Sequence, residues 1–265
     1  MHERPSTFVI SNPWNAGSAR ILSAMGFEAL ATTSAGYAFS IGGRDSELGV
    51  TRAGILDNAR EIVRATDLPV SADLEEGFGP APEDCAETIR MAAEIGLVGG
   101  SIEDATGDAG NPIFNFGLAR ERVAAACEAA RKRPFVLTAR AENYLHKRPD
   151  LADTIKRLNA FSEAGADVLY APGLPDLDAI REVCRSVDKP VNVVMGLSGP
   201  RFSIAQLQEA GVKRISVGGA FARLAFGAFM RAAEEVRDHG TFDFADGAVP
   251  DAEIRRCMSA TKRPS

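Results

Sequence analysis

The chain has 265 residues, 45% hydrophobic and 25% charged, the composition of an ordinary globular protein long enough to bury a substantial core. Its formal net charge of −6 with acids and bases interspersed argues against a nucleic-acid partner, and no apolar run is long enough to span a membrane. The start, MHERPSTFVISNPW, lacks the apolar stretch of a leader peptide. Four scattered cysteines (Cys85, Cys127, Cys184, Cys257) form no CxxC pair, so free thiols and a cytoplasmic location are expected, with no membrane or nucleic-acid partner.

Strand candidates come in chain order as TFVIS and the runs within AMGFEALATT, LPVSAD, EIGLVGGSIE, RPFVLTAR, EAGADVLYAP, KPVNVVMG and EAGVKRISVG. After the first, their entries alternate. Gly26, Gly96, Gly165 and Gly211 each close a helical pattern, where left-handed backbone is cheap for glycine. Pro69, Pro134 and Pro190 each open a β-branched run, where a missing N–H costs least. Between the strands, Ile55, Leu56, Ala59, Ile62 and Val63 share a helix face, as do Leu151, Ile155, Leu158 and Phe161. Asp176 and Ser203 stand at helix N-cap positions, and Ser203 with Gln206 has capping-box spacing.

The strands read as continuous apolar runs, as in a buried parallel sheet. The expected fold is an α/β (β/α)8 TIM barrel over residues 1–240, followed by a C-terminal helical segment and tail at 241–265. Pro250 stands at that segment's first helical position. A doubly wound open sheet normally carries GxGxxG after its first strand; here the turn is NPWNAGS.

Barrel chemistry sits at the C-terminal strand ends. Those ends carry Ser11 and Asn12, Thr32 to Ser34, Asp73 and Glu75, Glu103 and Asp104, Arg140 and Glu142, Tyr170, Asn192, and Gly218 with Gly219. Asp73 and Glu75 leave one face if the strand stays extended. With Glu103 and Asp45 they make a histidine-free oxygen set suited to Mg²⁺ or Mn²⁺; the alternative is solvated loop charges. Arg140 suits two-pronged binding of a carboxylate or phosphonate, or a salt bridge to Glu142 or Glu103. His2, His146 and His239 fall in surface segments, and no Ser-His-Asp arrangement is suggested. SVGGAF is compatible with a phosphate cradle or with close helix packing.

ATTSAGYAFSIGGRDS, SADLEEGFG, GGSIEDATGD, TARAENYL and ISVGGAFARLAF, in this order, resemble the isocitrate lyase and phosphoenolpyruvate mutase superfamily over about residues 7–237. The resemblance implies Mg²⁺ held directly by Asp73 and through water by Asp45, Glu75 and Glu103. It implies that backbone N–H groups near Thr33, Ser34 and Ala35 cradle the oxygen of a 2-oxo acid enolate, that Arg140 binds its carboxylate, and that Asn192 and Arg223 bind the remaining groups. Thr33, Ser34, Arg140 and Glu103 are the expected catalytic set.

Three departures qualify the resemblance. The lyases' KKCGH-type segment is replaced by ATGDAGNPIFNFG, which has no cysteine, lysine or histidine, so ordinary isocitrate cleavage is not expected. Only Asn111 and Asn115 remain for a mutase-type loop. Pro172 stands where the lyases place a glutamate, implying a smaller or less acidic far end of the pocket. The expected activity is Mg²⁺-dependent carbon–carbon cleavage of a small 2-oxo or 2-hydroxy acid through an enolate, with Tyr37, Tyr144 and Tyr170 as candidate proton donors. The alternatives are phosphorus–carbon chemistry, as a phosphonomutase or phosphonopyruvate hydrolase, and a barrel that binds a 2-oxo acid without turnover. A homo-oligomer, dimer or tetramer, is implied, with GTFDFADGAVPDAEIRRCM as the candidate exchanged segment.

Overall fold

All four expected glycine stops adopt left-handed backbone, with φ of 88° at Gly26, 96° at Gly96, 109° at Gly165 and 95° at Gly211. Each ends a helix and turns the chain into a strand. The prolines act one or two residues upstream of theirs: Pro69, Pro134 and Pro190 precede strands beginning at Val70, Val136 and Val191.

The computed structural model describes residues 1–44 and 50–259. Its strands are β1 (Phe8–Ile10), β2 (Leu30–Ala31), β3 (Val70–Asp73), β4 (Gly99–Glu103), β5 (Val136–Arg140), β6 (Val168–Tyr170), β7 (Val191–Val194) and β8 (Arg214–Ser216). They pair in parallel in the order β1-β8-β7-β6-β5-β4-β3-β2. A bridge between Ser11 and Leu30 brings the two ends of this order together. Asn12 fastens the seam from above, its Nδ2 donating to the Thr32 carbonyl at 3.1 Å and its Oδ1 accepting the Val217 and Gly218 N–H groups at 2.8 and 3.0 Å. The expected (β/α)8 TIM barrel is the fold.

The helices are α1 (Ala16–Ala24), α2 (Ser34–Ser40), α3 (Arg52–Ala65), α4 (Pro82–Glu94), α5 (Phe116–Ala130), α6 (Leu151–Glu163), α7 (Leu177–Ser186), α8 (Ile204–Glu209), α9 (Ala220–His239) and α10 (Asp251–Ser259). Asp176 caps α7, and Ser203 with Gln206 forms the capping box of α8. Pro250 sits one residue before α10. The short α2 is additional to the eight-unit reading, because Thr33 caps a new helix directly after β2.

The strands are not apolar on both faces, contrary to the sequence expectation. Leu137, Ala139, Leu169, Val191, Val193 and Ile215 face outward into a core shared with Leu158, Phe161, Ile180, Val183 and Leu207 of the helices. The alternate residues Ser71, Asp73, Ser101, Thr138, Arg140, Tyr170, Asn192, Arg214 and Ser216 line a cavity inside the barrel. The reason is the two-residue period of a strand: the outward face alone supplies the hydrophobic core, which frees the inward face for polar groups.

Cys85 and Cys127 are buried and Cys184 and Cys257 half-buried, all four as free thiols. Among the described residues no helix is long and apolar enough to cross a membrane. α10 packs against α1, with the Arg20 side chain donating to the Met258 carbonyl. In α9 only Ala222 is buried, and Leu224, Phe229 and Met230 are exposed at 67%, 69% and 58%.

Candidate active site

Arg140 ends β5 with its guanidinium among three carboxylates. Nη1 lies 3.0 Å from Asp73, Nη2 3.0 Å from Glu103 and Nε 2.8 Å from Glu142. Its Cζ stands 5.1 Å from the centre of the Tyr170 ring, in cation–π range. Both salt bridges considered as alternatives for Arg140 therefore form, together with one to Asp73. Burial opposes the Arg140 charge, yet Glu103, Glu142 and Asp73 hold it more firmly protonated than a free arginine. Burial pushes the Glu103 carboxyl well above the usual range; Arg140 pulls it down, while Glu142, Glu75 and Asp73 push it further up. One cation thus balances a locally acidic rim.

The strand ends are fixed by a second layer of bonds. Asp104 accepts the Glu142 N–H at 2.8 Å and pairs with Arg157 at 3.0 Å, and Arg157 also donates to the Phe114 carbonyl at 2.9 Å. Burial pushes the Asp104 carboxyl up to about 6. This buried pair ties the ends of β4 and β5 to α6, positioning both Glu103 and Glu142.

The turn after β2 approaches from the opposite side. Ser34 Oγ donates to Asp73 Oδ2 at 3.0 Å, and the Asp73 N–H donates to Thr32 Oγ1 at 3.0 Å. Thr33 caps α2 by accepting the Gly36 N–H at 3.3 Å. A Cβ on Gly36 would stand 2.7 Å from Thr33 Cγ2, 2.9 Å from Trp14 Cβ and 3.2 Å from Ala222 Cβ, so glycine allows α2 to seat against α9. A Cβ on Gly219 would lie 3.4 Å from that of Ala35. Thr33, Ser34 and Ala35 therefore sit between the Asp73 carboxylate and the SVGGAF turn.

The turn after β3 differs from expectation. β3 stops at Asp73, and Glu75 takes a left-handed φ of 50°, followed by Gly77 at 96° and Phe78 at 61°. The extended strand that would put Asp73 and Glu75 on one face is absent. Instead the Glu75 carbonyl accepts the Glu103 N–H at 3.0 Å, so the turn folds toward β4. Buried Arg122 of α5 holds this turn from beneath, donating to the carbonyls of Glu76, Gly79 and Ala81. Its guanidinium lies 4.1 Å from the Phe114 ring centre. Non-glycine residues in left-handed backbone cost energy and persist where their surroundings hold them.

A cavity joins this rim to the barrel interior, lined by Asn12, Thr32, Asp73, Arg140, Tyr170, Asn192, Arg214 and Ser216 among others. Asn192 Nδ2 donates to Ser216 Oγ at 3.1 Å, and Asn192 Oδ1 accepts from Arg214 Nε at 2.8 Å. Of the three tyrosines considered, only Tyr170 lines this cavity, and burial holds its phenol well above its ordinary pKa. Arg223 is exposed on α9 and does not line the cavity. Asp45 lies outside the described residues.

Asp73 and Glu103 contact Arg140, and Asn192 lines the adjoining cavity, four residues that sequence reasoning had placed at one rim. The same reasoning treated Glu142 only as a possible partner of Arg140 and missed Arg214 altogether. The available signal for Arg214 was a charged residue inside the last strand run, KRISVGG.

For a divalent cation the donor chemistry fits. Asp73, Glu75 and Glu103 are hard oxygen ligands, and their mutual repulsion is visible at Glu103. Among the described residues no group of three or more acids, histidines or cysteines is already arranged as a metal cage; the Arg140 guanidinium stands between Asp73 and Glu103.

Comparison with known proteins gives a consistent picture. The family model described as phosphoenolpyruvate phosphomutase matches residues 1–237. A Burkholderia cenocepacia structure with a provisional lyase/mutase description is 59% identical, with a TM-score of 0.95 over 98% of this chain and 94% of that one. A 2-methylisocitrate lyase of Halalkalibacterium halodurans is 27% identical over 93% of this chain and 82% of its own length. The structure of a 2,3-dimethylmalate lyase is 26% identical with a TM-score of 0.86, over 96% of this chain and 90% of that one.

Proposed function

The chain belongs to the phosphoenolpyruvate mutase and isocitrate lyase superfamily, and on that premise we propose that it is a Mg²⁺-dependent lyase cleaving a carbon–carbon bond of a small 2-oxo or 2-hydroxy acid through an enolate. The observation that carries this reading is Arg140 held between Asp73 and Glu103 at the mouth of a polar cavity. A cation-binding acid cluster beside a carboxylate-binding arginine is what an enolate of a 2-oxo acid requires.

Asp73, Glu75 and Glu103 would hold Mg²⁺ or Mn²⁺, with Asp45 as the fourth expected contributor, and the metal would supply Lewis-acid stabilisation of developing negative charge. Arg140 binds the substrate carboxylate, which competes with Asp73 and Glu103 for the two Nη donors, while Glu142 retains Nε and keeps the guanidinium in place. Ser34 orients Asp73 through its hydroxyl, and the Thr33–Ala35 turn supplies backbone donors to the enolate oxygen. Tyr170 holds a proton at its buried hydroxyl and faces the cavity, which favours it over Tyr37 and Tyr144 as the donor that quenches the enolate. Expected partners are a small carboxylic acid and further copies of the chain, whose docking would cover the exposed apolar face of α9.

The test is release of pyruvate, glyoxylate or a related 2-oxo acid from a panel of alkyl-substituted malates and citrates. Release from at least one supports the proposal; inactivity on the whole panel, with Mg²⁺ present, argues against it.

Phosphorus–carbon chemistry is the second reading, favoured by the phosphomutase description of the matching family model. The loop after β4 weighs against it. Asn115 is occupied as the cap of α5, accepting the Leu118 N–H at 3.0 Å, and Asn111 is exposed. Phosphorus NMR of phosphonopyruvate incubated with the protein separates the two.

A further inference from the structure

Arg214 points into the barrel from β8 and reaches three strands across the wall to β5. Nε donates to Asn192 Oδ1 at 2.8 Å and Nη2 to Thr138 Oγ1 at 2.8 Å. Both acceptors are neutral. The residue is only 7% exposed, and among the described residues no carboxylate lies within ion-pairing distance and Nη1 has no partner. Arg140 shares its charge with three acids; Arg214, lining the same cavity, has none.

A buried cation without a counter-charge is costly. Burial lowers the Arg214 pKa to about 10, and the one group that opposes this is the weak acid Tyr170. A side chain kept charged at such a place and facing a cavity is suited to receiving an anion from outside the chain. Three further features of the cavity agree. It runs from Arg140 at the mouth to Arg214 in the interior, its lining includes small hydroxyl groups (Ser71, Ser101, Thr138, Ser216), and among the described residues its one lining acid, Asp73, is already paired with Arg140.

We propose that Arg214 is a second anion receptor of the site, so that the ligand is a small dianion with one charge held at the Arg140 rim and the other drawn toward Arg214. This rests on the acid-binding reading above and narrows it to ligands with two anionic groups, such as a dicarboxylate. Through its bond to Asn192, Arg214 also sets the amide so that Nδ2 faces Ser216.

The test uses the full chain with EDTA present, so that chelation by metal does not contribute. Calorimetry compares oxalate, a planar dianion, with its monoanionic isostere oxamate, on the wild type, Arg214→Met and Arg214→Lys; thermal unfolding is measured alongside. Oxalate should bind the wild type about tenfold or more tightly than oxamate, the scale of one charge-assisted hydrogen bond. Arg214→Met should remove that preference while still unfolding cooperatively, the relief of an unpaired buried charge being offset by the donors lost to Asn192 Oδ1 and Thr138 Oγ1. Arg214→Lys should restore part of the preference.

Equal binding of the two ligands by the wild type overturns the proposal and needs no variant. So does an Arg214→Met protein that keeps the preference, or one that loses both ligands equally, which is the signature of a residue acting only through Asn192. Failure here leaves the lyase reading intact if the substrate panel is turned over. An Arg214-dependent preference in a protein that turns over nothing upholds the receptor and removes the lyase.

Discussion

Asp73 and Arg140 meet at 3.0 Å from the ends of β3 and β5, with β4 between them bringing Glu103 to the same guanidinium at 3.0 Å. The parallel register makes this possible: Asp73 is level with Ser101, and Glu103 with Arg140. Arg140→Met leaves Asp73, Glu103 and Glu142 facing one another, Glu142 buried and the other two partly so. It should lower stability by about 3–5 kcal/mol, the scale of a buried ion pair broken on one side. Added Mg²⁺ should raise the melting temperature of this variant more than that of the wild type. A Mg²⁺-insensitive Arg140→Met protein would count against the acid cluster as a cation site.

Arg122 donates to the carbonyls of three residues in the turn after β3. In Arg122→Met those carbonyls lose their donor, at a cost of about 2–4 kcal/mol. Amide exchange should accelerate across residues 75–81 before it does so in β5. Uniform acceleration throughout the barrel would show that Arg122 supports the fold in general and not this turn.

His2 is half-buried edge-on against Phe8, ring centres 5.1 Å apart. Burial, then Arg214, the N-terminal amine and Lys213, lower its pKa from 6.5 to about 4. Between these values the unfolded chain takes up a proton that the folded chain refuses, so stability falls as pH drops from 6.5 toward 4 and this contribution levels off below. His2→Gln should flatten that part of the melting-temperature profile and leave the region above pH 7 unchanged. An identical acid limb in the two proteins would assign the loss to other groups.

Much of the barrel was legible because its punctuation is local. A glycine at φ near 90° ends a helix whatever surrounds it, and the four stops could be read one at a time. Asp73, Glu103 and Arg140 were legible because each ends a strand and strand ends converge. The backbone path at Glu75 was not legible, since nothing local announces left-handed backbone at a glutamate; the Glu103 N–H that holds its carbonyl is remote in sequence. Arg214 escaped notice for a related reason. Whether a residue faces the helices or the interior depends on the parity of the whole strand, and its acceptors Asn192 and Thr138 come from two other strands.

The exposed Leu224, Phe229 and Met230 on α9 make the oligomer a separate prediction. Light scattering should find a dimer or tetramer, and Leu224→Glu with Phe229→Glu should shift it toward monomer at unchanged helical content. A wild-type monomer would contradict it.

In the proposed mechanism Asp73 holds a divalent cation that serves enolate chemistry. The most direct measurement is the Mg²⁺ dependence of 2-oxo acid release by the wild type and Asp73→Ala, using whichever panel substrate the wild type cleaves. The wild type should show saturable activation by Mg²⁺, abolished by EDTA, and release by Asp73→Ala should be lower by about a hundredfold or more, the scale of losing one electrostatic stabiliser of the transition state. Metal-independent release, or an Asp73→Ala protein as active as the wild type, would contradict this mechanism.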